Sequence, residues 1–387
     1  MLDYMLTEEE QMIRELARKV AVEKIVPVRA ELDEKEEFPW DIIKALADAD
    51  LCGLYIPEEY GGMGQKIFNF CLATEEISRA CGGVGVTFAA SALGSAPILL
   101  FGSHEQKLKY MPDIAAGKKL AAFGLTEANA GSDAAGVETT AVKDGDYYVI
   151  NGTKQWITNG GEAEVYTLIA MTNKNKGSRG ASAFIIEKGT PGFTFAKKEK
   201  KMGIRCSATR ELVFQDCKVH KSQLLAREGM GFIVAMKTLD ITRPGIGAQA
   251  LGIAQGAIDE AVSYARQRVQ FGKPIISFQA VQHILADMAT RLEAARSLVY
   301  ATARMIDAKS KDYTLYSSMS KLFASDTAMK VTTDAVQILG GYGYMREYPV
   351  EKMMRDAKIT QIYEGTNQIQ RNEIALKLIK ENIKKKK

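Results

Sequence analysis

The hydrophobic period of this chain changes twice, and that double change restricts its fold more than any other feature. From Thr7 to about Lys119 the pattern is helical. From about Leu120 to Ala226 it becomes one of short strands between turns, and from Gly229 onward helical periodicity returns. Thr7-Glu8-Glu9-Glu10 predicts a helix start, a hydroxyl cap followed by an acidic first turn. Leu16, Val20 and Ile25 are expected near one buried face. A Pro- and Gly-containing break follows at 56–64. Small residues at 91–97 would let helices approach closely or leave a cavity. In the middle region, Asp144-Gly145-Asp146 marks a hairpin turn into a strand at 147–150, with further strands expected at 165–171, 183–186 and 212–214. Beyond it, Met288, Leu292, Ala295, Val299 and Ile306 recur at steps of three, four and seven. Helices at 251–264, 317–339 and 369–383 complete a bundle. The expected fold is mainly α with a central β domain, divided at 1–119, 120–226 and 227–387.

With 387 residues, 46% of them hydrophobic and 25% charged, the chain has ample material for two or three domains. Its net charge of +4 is spread evenly, which leaves no electrostatic footprint for nucleic acid. The basic run Lys384-Lys385-Lys386-Lys387 is expected to be a solvated end. Five cysteines without Cys-x-x-Cys spacing point to reduced thiols. Three histidines, His104, His220 and His283, are not spaced as a metal site. The start, Met1 to Glu10, is acidic and lacks the apolar core of an export signal. No stretch is expected to reach the roughly 20 apolar residues that span a bilayer. A cytoplasmic protein without membrane insertion is therefore expected.

Four segments carry candidate chemistry. In 363–371, Glu364 stands directly before Gly365, so a carboxylate can be held against a ligand while backbone comes close. The others are 123–133, 155–159 and 268–272. Taken singly, each also has a plain structural reading. These are a polar loop, a core aromatic beside a strand-end threonine, and a surface arginine. Asp240 and Arg243, three apart, could likewise be a helix-surface ion pair.

Together the segments 56–62, 125–133, 156–159, 268–272, 337–341 and 363–371, in this order, make the chain resemble the acyl-CoA dehydrogenases from about residue 7 to 380. These are flavoenzymes that desaturate acyl thioesters between Cα and Cβ. The resemblance implies a helical amino-terminal domain, a β-barrel-like middle domain and a carboxy-terminal four-helix bundle. It also implies bound FAD, an acyl-CoA substrate, an electron-transfer flavoprotein as acceptor, and a homotetramer built as a dimer of dimers.

Residue by residue, it implies that Phe123, Leu125, Thr126, Gly131 and Ser132 hold the polar isoalloxazine edge and a phosphate. Ala128 stands where the family usually has proline. Trp156, Ile157 and Thr158 are expected along the flavin ring. Arg268, Gln270 and Phe271, with Gln279, are expected on the FAD of a neighbouring subunit, where arginine offers paired donors to pyrophosphate. Gln337, Ile338, Leu339, Gly340 and Gly341 would lie at its adenylate side, with Thr366 and Gln368 as further cofactor contacts. Ser132, Asp240, Thr242, Arg243 and Gly365 are expected on the CoA thioester.

Gln249 and Thr360 match residues that narrow the acyl pocket in short-chain members. Their plain reading is a hydrogen bond to neighbouring helices and a routine helix position. Phe88, Ala89, Ala90, Ser91 and Leu93 are expected on the opposing wall, and their size leaves branched, cyclic or dicarboxylic acyl groups open. Glu364 is expected to take the α-proton while flavin N5 takes hydride from Cβ. Some relatives place the base at the position of Thr242, which has no carboxylate. An enoyl-CoA reductase, an acyl-CoA oxidase and a non-catalytic acyl-CoA-binding protein remain as alternatives on the same fold.

Overall fold

A computed structural model describes residues 4–64 and 66–385. Met1 to Asp3, and Lys386 and Lys387 of the basic tail, lie outside the described residues. The first region consists of α1 (Glu8–Val20), α2 (Arg29–Lys35), α3 (Trp40–Asp48), α4 (Ile67–Ala80), α5 (Gly82–Phe101) and α6 (His104–Ala115). Thr7 caps α1 as expected: its Oγ1 accepts the Glu10 N–H at 3.2 Å while its own N–H donates to Glu10 Oε2 at 2.9 Å. The buried face of α1, continued through a π turn, is Ala17, Ala21 and Ile25; Leu16 is 40% exposed and lies at the flank. The two alanines bring α1 close to α4, so the larger leucine is displaced from the contact.

Helix α5 corrects one expectation. It has 20 residues, none charged, which is long and apolar enough to cross a bilayer, yet most of it is buried inside the protein. Its small residues Ser91 and Gly94 receive the β domain, while Gly82 and Gly85 nearer its start pack against other helices. Ser91 Oγ accepts the Ala121 N–H at 3.1 Å, and Thr167 donates to Gly94 O at 2.8 Å. A Cβ on Gly94 would sit 2.3 Å from the Ala122 backbone nitrogen. Gly94→Ala must therefore push strand and helix apart, and is expected to lower stability by about 2–3 kcal/mol. Urea unfolding measures this; an unchanged midpoint would mean that the contact is looser than described.

The middle region contains β1 (Ala121–Gly124), β2 (Thr140–Asp144), β3 (Tyr147–Thr158), β4 (Val165–Met171), β5 (Ala181–Glu187), β6 (Phe193–Lys198), β7 (Thr209–His220) and β8 (Leu224–Leu225). They form one path, β6-β7-β3-β2-β4-β5-β8, with β1 parallel to β4. Between β2 and β4 the path is joined only at Thr140 and Met171. The sheet curls, so that the end of β1 meets β3: Lys154 Nζ donates to Leu125 O at 3.0 Å. Phe193 stacks on Phe214 at 4.7 Å and meets Tyr166 edge-on at 4.9 Å, forming part of the core within the curl. Strands β1 and β6 escaped the sequence pattern, since one is short and half alanine and the other ends in lysines.

The last region is α7 (Gly231–Gln267), the hairpin β9 (Val269–Gln270) and β10 (Lys273–Pro274), α8 (Gln279–Asp307), α9 (Tyr313–Leu339), α10 (Val350–Thr360) and α11 (Asn367–Lys385). Helix α7, 37 residues long, is the spine of the molecule and packs on α4, α5, α8, α9 and α10. The expected helix at 251–264 is only its last part. Asp240 to Arg243 therefore lie inside α7. Pro244 and the glycines after it look like breakers in sequence, but the glycines serve packing. A Cβ on Gly252 would fall 2.1 Å from Glu75 O, and one on Gly256 2.4 Å from Arg79 O.

Candidate active site

A cavity of about 340 Å³ opens where α5, β1, the end of β3, α7 and the 363–365 turn converge. Glu364 and Gly365 line it from one side, in left-handed backbone with φ of +51° and +90°. This is the conformation that a Glu-Gly pair between two helices allows, and it projects the carboxylate into the cavity. Thr242, one turn before Ile246 on α7, offers its hydroxyl to Glu364 Oε2 at 2.9 Å and to Thr238 O at 3.1 Å. Its single proton can serve only one of them. Arg243 donates to Glu364 O at 3.4 Å, pairs with Asp240 at 3.4 Å and reaches Ser318 Oγ at 3.2 Å. Gln370 Nε2 donates to the carbonyls of both Glu364 (3.2 Å) and Gly365 (3.0 Å).

Burial pushes the Glu364 carboxyl up to about 7, against the opposing pull of Thr242, Arg243 and Lys321. Asp240 is likewise raised by burial, with Arg243 opposing. Lys321, on α9, is fully buried beneath the turn and is lowered by burial to about 7.

The cavity's other side belongs to the β domain. Leu125, Thr126, Gly131, Ser132, Trp156, Ile157 and Thr158 all line it. A register shift between Lys154 and Ile157 breaks the β3–β7 ladder, and Trp156 there has φ +58° and is 57% exposed. The bulge turns the indole toward the cavity instead of the barrel core. Behind it, Asn159 Nδ2 donates to Thr87 O at 3.1 Å and Ala121 O at 3.4 Å, pinning the strand end to α5 and β1. The loop after β1 is braced from below by Lys154, fully buried, whose Nζ reaches Glu127 Oε1 at 2.6 Å. Burial lowers Lys154 to about 8, with Glu127 opposing.

The expected site residues divide. Phe123, Leu125, Thr126, Gly131, Ser132, Trp156, Ile157, Thr158, Arg243, Glu364 and Gly365 share the cavity. Arg268, Gln270 and Ile338 to Gly341 gather elsewhere, beside Tyr264 and Tyr342. Phe271, at the tip of the β9–β10 hairpin, is 94% exposed. Gln279 opens α8, and Gln337 is exposed near the end of α9.

Other positions stand apart from both groups. Thr366 accepts the Ile369 N–H at 3.3 Å at the start of α11, and Gln368 is exposed; neither lines the cavity. Asp240 and Thr242 are buried behind Arg243 and Glu364; Thr242 instead borders a second cavity of about 440 Å³ on the far side of α7. Gln249 and Thr360 also lie behind the wall. Gln249 accepts from the Tyr363 hydroxyl and donates to Gly82 O at 3.0 Å, and Thr360 donates to Ala357 O at 2.7 Å. Of the opposing wall, Ala90 and Leu93 face the cavity with Val86, whereas Phe88 stacks on Phe70 at 5.3 Å.

Sequence reasoning missed Tyr363, Leu239, Ile246 and Lys321. The first three looked like ordinary helix or turn residues. Lys321 carried a legible signal, since it interrupts the stripe Ser317, Ala324, Ala328 and Val331 at helical spacing.

A broad, half-exposed indole, clustered hydroxyls and an open Gly131 backbone fit a flat, polar-edged ring, and a raised carboxyl lines the same cavity. Such a site fits a flavin-dependent oxidoreductase. Comparison with known proteins makes the class specific. The profiles of the acyl-CoA dehydrogenase N-terminal, middle and C-terminal domains match residues 7–118, 122–217 and 229–379. The chain belongs to the acyl-CoA dehydrogenase family, whose members are FAD-dependent enzymes.

Butyryl-CoA dehydrogenase from Megasphaera elsdenii is 48% identical with a TM-score of 0.95, over 98% of this chain and all (100%) of that one. A chain from a structure described as the electron-transferring flavoprotein of Acidaminococcus fermentans is 51% identical with a TM-score of 0.95, over 97% of this chain and 99% of that one. The acryloyl-CoA reductase (NADH) of Anaerotignum propionicum is 47% identical over 98% of this chain and 96% of its own length.

Proposed function

We propose that this enzyme desaturates a short-chain or compact acyl-CoA between Cα and Cβ, with Glu364 as the base. The observation that supports this most is the single cavity shared by a carboxyl pushed up to about 7 and the Thr126–Trp156–Thr158 surface. A thioester α-proton is weakly acidic, so its removal needs a placed base and a polarised carbonyl. A carboxylate of raised pKa is a stronger base than an ordinary one. Thr242 orients it through Oε2, and the backbone N–H of Glu364 is the donor available to the thioester oxygen. FAD, when bound, supplies the acceptor for the β-hydride. Leu125, Thr126, Ser132, Trp156, Ile157 and Thr158 would hold its ring, while Arg243 and Gly365 would meet the thioester ligand. Five free cysteines fit a reducing, cytoplasmic compartment.

The Arg268–Gln270 and Ile338–Gly341 group does not border the Glu364 cavity. We therefore infer that it serves the FAD of a neighbouring subunit in a homotetramer. Electron-transfer flavoprotein is the proposed acceptor, on the likeness to the Acidaminococcus chain. The Anaerotignum relative favours one second reading, the same site run in the direction of enoyl-CoA reduction, and product analysis with a reduced electron donor separates the two.

A short acyl chain follows from the Tyr363–Gln249–Gly82 hydrogen-bond chain behind the wall. A longer tail would have to break it and leave a buried amide unpaired. A dye-coupled panel of linear, branched, cyclic and aromatic-derived acyl-CoAs tests the function, with butyryl-CoA expected among the best. In the same panel, Gln249→Gly is expected to move the preference by roughly two to four carbons, since deleting the amide deepens the pocket floor. An unchanged chain-length profile would remove Gln249 from the specificity determinants.

A further inference from the structure

Lys321 lies where α9 otherwise presents small and apolar residues, Ser317, Ala324, Ala328 and Val331, and it is fully buried. An ammonium so placed is strongly unfavourable unless it is hydrogen-bonded and faces a counter-charge. Its Nζ donates to Gly365 O at 2.8 Å and to Asn367 Oδ1 at 2.9 Å, the two residues that follow and close the Glu364 turn. Helix α9 grips the same turn at two further points. Asn367 Nδ2 donates to Ser325 Oγ at 2.9 Å and to Asp326 Oδ1 at 2.7 Å, and Gln361 Nε2 reaches that same Asp326 oxygen at 2.7 Å. Of these α9 groups, only Lys321 carries charge opposite to that of the base.

We propose that Lys321 is a positioning residue for the base. From beneath the 364–367 turn it fixes the left-handed backbone of Glu364 and Gly365, and its charge sustains the carboxylate form of Glu364. This inference rests on the dehydrogenase reading of Glu364. Around Lys321, Glu364 and Asp326 favour the ammonium and Arg243 opposes it; Glu364 in turn feels Thr242 and Arg243 from α7 and Lys321 from α9. Burial lowers the ammonium and raises the carboxyl, each to about 7, and the attraction between the two charged forms opposes both shifts. The sign is definite. Burial holds the carboxyl up, Lys321 holds it down, and removing the ammonium lets it rise further.

The test is the pH dependence of kcat/KM for FAD-loaded wild type, Lys321→Met and Lys321→Arg, with a short acyl-CoA and a dye acceptor. Lys321→Gln serves as a second neutral variant should the methionine protein fail to fold. In the neutral variant the acid limb is expected to move up by about one pH unit, with kcat reduced roughly ten-fold and KM changed little. The arginine variant should return the limb to its wild-type position. A neutral variant that loses activity by one constant factor at every pH would overturn the proposal, because Lys321 would then matter only for packing. A wild type that does not turn over acyl-CoA would instead remove the dehydrogenase reading itself, an outcome no Lys321 variant can produce.

Discussion

Glu364→Gln is expected to lower turnover by about a thousand-fold or more while leaving the protein folded, yellow with FAD and able to bind acyl-CoA. The amide keeps the shape of the side chain and can still take the Thr242 hydroxyl on its oxygen, an interaction of 2.9 Å in the native enzyme. It cannot accept a proton from carbon. The native carboxyl is raised to about 7, and Thr242, at the position where some relatives are expected to carry the base, has no carboxylate. The same raised value sets the pH dependence. Since the base must be ionised, kcat/KM should climb as pH rises through about 7 and fall away below it. Near-normal turnover by the glutamine variant in a dye-coupled assay would reassign the base.

Gly365→Ala is the second substitution with a large expected effect, although it touches no ionisable group. Gly365 has φ +90°, where an L side chain is strained, and its Cβ would lie 2.6 Å from Gln370 Nε2. Gln370 is fully buried and cannot swing clear without losing its bonds to the carbonyls of Glu364 and Gly365. The turn must shift, and the carboxylate moves with it. A displacement of about 1 Å at a reacting group lowers rate by about a hundred-fold, so kcat should fall by that order while FAD content holds. A kcat within two-fold of wild type would mean that the turn tolerates the methyl group and that the precise set of the base matters less than argued.

The parts of the fold that were legible in sequence are those in which local chemistry and tertiary structure agree. Thr7 and Glu10 cap α1 with their own side chains, and the apolar run Val165–Met171 is buried along its whole length, so both follow from local pattern. Helix α7 was truncated in the reading because Pro244, Gly245, Gly247 and Gly252 break isolated helices. In the folded chain that tendency is overridden by close contacts with α4 and α8, where a Cβ would fall within 3 Å of a neighbour. Glu364 could be singled out only together with the segments 123–133, 155–159 and 268–272, since alone a carboxylate before glycine reads as a charged loop. Thr242 was expected on the substrate, yet its hydroxyl reaches the Glu364 carboxyl across 122 positions of sequence. Asp240, Gln249 and Thr360 matched the right motifs but lie one layer behind the cavity wall, since a motif marks a neighbourhood and not which face of a helix is exposed. Lys321 was overlooked because a lysine in a helix normally reads as a solvated surface residue; only its place on the small-residue stripe marked it as buried.

The most direct measurement is anaerobic mixing of butyryl-CoA with the FAD-loaded enzyme and with its Glu364→Gln variant, following the absorbance of oxidised flavin. The wild type should bleach rapidly and the variant should remain yellow with ligand bound. Equal bleaching of the two proteins would show that proton abstraction does not depend on the carboxylate at 364.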